Sequence, residues 1–270
     1  MTAVQHLVSH RWRVPWEGFA VETDDGVRIE GTRVGAADPA RPAVVLAHGL
    51  MGWRRKPRFA VFAELLSHWF TVYPFDLRGH GDSGGVCDYG GAEIHDVEAV
   101  VRRVRADGHG TVTTMGTSLG AISAVRHGGL IGGVDAVVAI SCLAWWDWRP
   151  QADQGVRRRL DAQILTPAGR RALLAVGIRL PSSWPSSDGM PEAPVEVVGK
   201  IAPAPVILVH GEDDPLFAPE HARALYEAAN EPRHLLMGSR FGHAETGLSP
   251  GFARRIAGAI HQELELPWSA

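Results

Sequence analysis

The chain carries only two cysteines, Cys87 and Cys142, among 270 residues. Two thiols without paired spacing exclude a disulfide scaffold and a cysteine-rich metal centre, and whether they bond to each other stays open at this level. No stretch reaches the ~18 apolar residues that can span a bilayer, so no transmembrane helix is expected. The N-terminal Met1-Thr2-Ala3-Val4-Gln5-His6 lacks a basic region followed by an apolar run, which speaks against a secretory signal and for a cytoplasmic location. An excess of one charge is also missing. With 27 basic against 30 acidic residues the formal charge is -3, which gives no general attraction to nucleic acid or to an anionic membrane. The run Arg157-Arg158-Arg159 lies between Asp153 and Asp161 and reads as a solvated helix face. Glycine is plentiful, yet no glycine-rich segment carries a phosphate-loop lysine or a dinucleotide fingerprint, and the scattered histidines have no metal-ligand spacing. No cofactor and no metal is therefore expected.

What is present, 45% hydrophobic and 21% charged residues, suits one large domain with its own core. Residues 19–34 alternate around Asp25-Gly26 as a hairpin does. After it come short apolar runs, beginning with Ala43–Ala47, each separated from the next by a helical stretch. This rhythm predicts strands at 70–75, 111–115, 135–140, 204–209 and 233–237. It predicts helices at 58–68, 91–107, 119–128, 219–229 and 250–264. Short apolar strands alternating with helices indicate an α/β layer architecture with a mostly parallel sheet covered on both faces. Between Leu143 and Lys200 the rhythm stops. That segment has no clear strand but does have helical stretches, clustered tryptophans and a Pro/Ser-rich stretch, and it is long for a plain crossover. It reads as a small, mainly helical cap or lid inserted at 143–200 into a core domain made of 1–142 and 201–270.

Gly116-Thr117-Ser118-Leu119-Gly120 joins a predicted strand to a predicted helix. A serine on so sharp a turn needs small neighbours two positions away on either side. The turn lifts its hydroxyl above the sheet and leaves the Leu119 N–H at a helix start, where an oxyanion is stabilised. Serine is a weak nucleophile and needs a base. His243, in the loop between the last strand and the last helix, is placed to supply it. An acid to orient the imidazole is offered by Glu212, Asp213 and Asp214, which directly follow a strand. The order serine, acid, histidine differs from that of the chymotrypsin and subtilisin classes.

Taken together these segments resemble the α/β-hydrolase superfamily, in its serine-nucleophile branch with a cap, over essentially the whole chain. His48-Gly49-Leu50 is similar to the loop after the third strand that contributes an oxyanion-hole amide, which implies the Leu50 N–H beside that of Leu119. Asp76-Leu77-Arg78-Gly79-His80-Gly81-Asp82-Ser83 is similar to the family's largely structural stretch after the fourth strand, so His80 and Asp82 are not counted as catalytic. The family's H-G-x-x-D pattern maps the triad acid to Asp214, and its G-H motif maps the base to His243. The serine excludes, by the same resemblance, the aspartate-nucleophile members.

The resemblance implies a serine-dependent ester or thioester hydrolase working through an acyl-enzyme, with Ser118, Asp214 and His243 as catalytic residues. Its partner would be a small-molecule acyl substrate, and the protein a monomer or small homo-oligomer. Trp145, Trp146 and Met51 are candidate substrate-binding residues. Trp148, Arg149 and Arg179 lie in the same insertion, the arginines being ordinary surface candidates. Acyl transfer, carbon–carbon bond hydrolysis and a non-catalytic binding role on the same fold are the alternatives.

Overall fold

Five of the apolar runs form strands buried along their whole length: β3 (Ala43–Ala47), β4 (Thr71–Phe75), β5 (Val112–Thr117), β6 (Ala136–Ile140) and β7 (Val206–Gly211). The computed structural model describes residues 2–146, 155, 158–159, 161, 164, 166–181 and 190–268. Strands buried on both sides must be covered twice, and the side chains alternate accordingly. Val44 and Leu46, Val138 and Ile140, and Ile207 and Val209 belong to one apolar cluster. Their neighbours Val45, Val137, Ala139 and Leu208 belong to clusters on the other side.

The hairpin is formed by β1 (Trp16–Glu22) and β2 (Arg28–Val34), paired antiparallel from Trp16↔Val34 to Glu22↔Arg28. Gly26 takes the positive φ, 78°, that its turn needs. With β8 (Arg233–Gly238) at the far edge, the strands are ordered β1-β2-β4-β3-β5-β6-β7-β8 in one eight-stranded sheet. Only the β1–β2 and β2–β4 pairs are antiparallel.

Among the described residues the helices include α1 (Ala3–Val8), α2 (Pro57–Leu66), α3 (Glu93–Ala106), α4 (Leu119–Leu130), α5 (Pro167–Ala175), α6 (Pro194–Val197), α7 (Glu220–Ala228) and α8 (Pro250–Glu263). Helices α2 and α8 cover one face of the sheet, through Phe59, Phe62, Leu66, Phe252, Ile256 and Ile260. Helices α3, α4 and α7 cover the other. Two details depart from the sequence reading. Pro219 is the N-cap of α7 and not a residue of its first turn. The short helix α1 was not expected; Thr2 and Gln5 close a capping box on it. Cys87 and Cys142 are both free and buried, so the open question of a disulfide is answered. Among the described residues no helix is long and apolar enough to cross a membrane.

The segment between β6 and β7 leaves and rejoins two neighbouring strands. Of its described residues, Ile164, Leu173 and Ile178 form a small apolar cluster against Leu50, Met51 and Leu180. Ile178 also forms an isolated bridge with His80. Arg179 donates from Nε to the Gly85 carbonyl (3.0 Å) and from Nη2 to that of Ser83, so it fastens this segment to the loop after β4. Trp148 and Arg149 lie outside the described residues.

Because Leu46 is fully buried at the centre of the sheet, Leu46→Ala should lower unfolding free energy by about 2–5 kcal/mol. Denaturant unfolding should show this as a lower midpoint with an unaltered slope.

Candidate active site

The centre of the site is a strained turn. Strand β5 stops at Thr117 and α4 starts at Leu119, which leaves Ser118 alone to reverse the chain at φ 51°, ψ -113°. A non-glycine residue held at positive φ costs about 1–3 kcal/mol, so its surroundings must hold it there. They do so by close approach. A Cβ on Gly116 would fall 2.1 Å from the Gly120 backbone, and one on Gly120 would fall 2.4 Å from the Ala47 carbonyl oxygen. The Ser118 N–H donates to the Ile140 carbonyl (2.9 Å), and its own carbonyl accepts from Ala121 and Ile122. Its side chain makes no capping bond to the helix.

The Ser118 Oγ lies instead 3.1 Å from His243 Nε2, and His243 Nδ1 lies 2.7 Å from Asp214 Oδ2. An ionised carboxylate only accepts, so Nδ1 carries the proton and Nε2 is left as an acceptor for the serine hydroxyl. Asp214 is buried, and its Oδ1 accepts the Leu216 and Phe217 N–H groups (2.8 and 3.0 Å). Burial works to raise its carboxyl, but the His243 hydrogen bond and charge and the Phe217 amide outweigh it. The pKa accordingly lies below the ordinary 3.8. The neighbouring acids do other work. Asp213 accepts the Gly242 N–H (2.8 Å), fixing the residue before the histidine, while Glu212 is exposed.

Two further contacts set the imidazole. The Phe217 ring meets it edge-on, with centroids 5.0 Å apart. Ser141, buried at the end of β6, accepts the Ala244 N–H on its Oγ (2.9 Å). Ser141 carried no motif, and only its position just past a strand end could have drawn attention to it.

The loop after β3 approaches from the other side; a Cβ on Gly49 would lie 3.4 Å from Ser118 Cβ. Its peptides are held by two buried histidines. The Gly49 carbonyl accepts from the Gly52 N–H and from His48 Nδ1, both at 2.8 Å. His48 Nε2 accepts the Leu77 N–H (3.1 Å), so Nδ1 must carry the proton. Burial, with the His80 charge second, holds the His48 pKa well below its usual value, and the ring is neutral. Fixing the Gly49 carbonyl fixes the opposite end of the same planar peptide, the Leu50 N–H.

His80 secures the next peptide, with Nε2 2.6 Å from the Leu50 carbonyl and Nδ1 2.9 Å from that of Arg78. Burial lowers its pKa. The shorter of the two contacts is to Leu50. The ends of this assembly are tied by Asp76, which accepts the Arg54 N–H (2.6 Å), an Arg54 guanidinium N–H and the Asp82 N–H (2.9 Å). Asp82 also accepts from Arg54 (2.8 Å). The motif around His80 is therefore structural in a specific sense. It holds the loop that bears the Leu50 amide.

These groups surround a cavity of about 230 Å³ lined by Ser118, Leu119, His243, Leu50, Met51 and Trp146, among others. Tyr89, Ile122, Leu143, Leu216 and Phe217 add apolar surface, and Lys56, Glu245 and Thr246 add polar groups. Of the three side chains singled out for substrate contact, Met51 and Trp146 line it. Trp145 is not among its lining residues and packs on the His221 ring (5.3 Å). In this arrangement the imidazole can take the serine proton as Oγ attacks.

A family model described as alpha/beta hydrolase family matches residues 44–256. The protein YfhR of Escherichia coli O157:H7, itself uncharacterized, is 25% identical over 229 residues, 83% of this chain and 72% of that protein. Among solved structures, the Pyrococcus furiosus esterase Pf2001 superposes with TM-score 0.73 at 20% identity, over 95% of this chain and 98% of that one. The alpha/beta hydrolase GrgF from Penicillium sp. sh18 does so with TM-score 0.73 at 18% identity, over 94% and 100%. At these identities the superpositions speak for the fold.

Two outcomes follow from the geometry. Gly120→Ala should slow adduct formation at Ser118 by a serine-directed phosphonate at least about tenfold, as followed by intact mass, because the added carbon displaces the turn. The lowered Asp214 pKa means that its ionised form favours the fold. This contribution is complete above pH 3.8 and fades as pH falls through the lower folded value. In Asp214→Asn that part of the acid loss of stability should vanish, read from urea midpoints between about pH 6 and pH 3.

Proposed function

The chain belongs to the alpha/beta hydrolase family, and from that membership we propose that it is a serine hydrolase of carboxylic esters or thioesters. The observation that carries this reading is the unbroken series Ser118 Oγ, His243, Asp214, at 3.1 and 2.7 Å, opening into an apolar cavity. The esterase named among the structural neighbours supports the same choice.

In the proposed cycle Ser118 Oγ attacks the carbonyl carbon while His243 Nε2 takes its proton. The negative oxygen is held by the Leu50 and Leu119 amides, each worth about 3–4 kcal/mol to the transition state. Asp214 stabilises the imidazolium. His243 then protonates the departing alcohol or thiol, an acyl-enzyme remains, and water activated by the same imidazole releases the acid. The cavity falls below the ~300–1,000 Å³ of sites for drug-sized ligands, which favours short acyl chains.

The insertion at 143–200 is proposed as the cap of this site. Leu143 and Trp146 line the cavity, and Ile164, Leu173 and Ile178 pack beside Leu50 and Met51.

A panel of short-chain esters and thioesters tests the reading. Ser118→Ala should abolish both turnover and phosphonate labelling. Asp214→Asn should keep the fold but lose on the order of 10⁴ in kcat, as when the orienting acid of such a triad is neutralised. Absence of labelling and turnover in the wild type would remove the proposal. Product formation with an added alcohol, monitored by mass, would redirect it to acyl transfer.

A further inference from the structure

The cavity wall is divided between the two faces of the sheet. Tyr89 precedes α3, Ile122 lies on α4, Leu216 and Phe217 precede α7, and Leu143 and Trp146 follow β6. These residues make one apolar side, continuous with the core under α4 and α7. The other side is built from the elements of the α2/α8 face. Lys56 is the N-cap of α2, and Glu245 and Thr246 lie on a short 3-10 helix, Ala244–Gly247, that leads to α8.

Lys56 Nζ and Glu245 Oε2 are 2.8 Å apart, with side chains 33% and 14% exposed. A second link between the same two segments runs from the Arg58 guanidinium to the Thr246 carbonyl (3.4 Å). Among the described lining residues, Lys56 and Glu245 are the two that bear full charges. A partly exposed pair of this kind adds little to stability, whereas its position beside Ser118 and His243 gives it access to a bound molecule.

We propose that Lys56 and Glu245 form a polar subsite for the leaving group, selecting esters with an apolar acyl part and a neutral, hydrogen-bonding alcohol part such as a diol. The proposal rests on the hydrolase reading above, because it is His243, as proton donor to the leaving oxygen, that fixes which end lies here. Glu245 and Thr246 stand two and three positions after that histidine in the chain.

The charge balance of the pair sets the chemistry of the ligand. The ammonium has three donors and spends one on Glu245; the carboxylate keeps free lone pairs. A hydroxyl both donates and accepts, so it can join the pair without separating it. A substrate cation or anion would meet one attractive and one repulsive partner and leave a charge unmatched. Short diol monoesters are therefore the substrate class that this half of the cavity fits.

The test compares wild-type kcat/KM for ethyl, hydroxyethyl, carboxymethyl and choline butyrates, which share one acyl group. Hydroxyethyl butyrate should exceed ethyl butyrate by about three- to tenfold, the value of one net hydrogen bond, and both charged esters should fall below the hydroxyethyl ester. In Lys56→Met the ratio of hydroxyethyl to ethyl should drop toward one through a higher KM, and Lys56→Arg should restore part of it. Equal wild-type turnover of the two neutral esters, or a preference that survives Lys56→Met, would overturn the subsite while leaving the hydrolase reading intact. Absence of turnover for all four, together with absence of phosphonate labelling, would overturn both.

Discussion

The site depends on one close approach, that of the first turn of α4 to the end of β3. Gly120 sits so near the Ala47 carbonyl that no side-chain carbon fits between them. This contact holds Ser118 at a positive φ that the residue would not adopt in an unconstrained chain. The same contact brings the loop that begins at His48 alongside the start of α4. Ser118 and the loop that bears Leu50 are thus positioned by one piece of packing, and β5 is held by ladders on both sides.

Around that centre the polar groups are arranged so that each has a defined protonation state. Leu77 donates to His48, which forces the proton to the nitrogen that faces Gly49. Asp214 forces the proton of His243 to the nitrogen away from the serine. In both cases a fixed partner decides the tautomer of an imidazole, and the imidazole in turn fixes a peptide or activates a hydroxyl. Buried polar networks of this kind are costly when incomplete. That accounts for the number of residues, Asp76, Arg54, Asp82 and His80 among them, committed to holding a single loop.

Much of this was legible in the sequence because it depends on short-range pattern. Gly116 and Gly120 flank Ser118 at the spacing the turn demands, and the apolar runs announced every strand of the parallel sheet. Asp214 could be separated from Asp213 only by family register; in space the distinction is plain, since one faces His243 and the other Gly242. His80 was visible as part of a motif but not as the support of the Leu50 carbonyl, a contact between loops thirty positions apart in sequence. Lys56 and Glu245 were invisible. Each is an ordinary polar residue in its own segment, and only the packing of α2 beside the chain entering α8 makes them a pair. Helical stretches were readable in the segment from 143 to 200, and Pro167–Ala175 is one, but its packing against Met51 was not.

Ser118, Asp214 and His243 come from the segments after β5, β7 and β8, so Ser118 and His243 meet across 125 positions of sequence. Strand β8 is the last in the chain and lies at the edge of the sheet, held by β7 alone. On the hydrolase reading proposed above, a molecule that has assembled everything up to β7 has Ser118 in place but lacks His243 as its base. Such long-range closure belongs to the late, slow events of folding. On that reading, reactivity at Ser118 reports completion of the sheet, because the proposed base arrives only with its final strand.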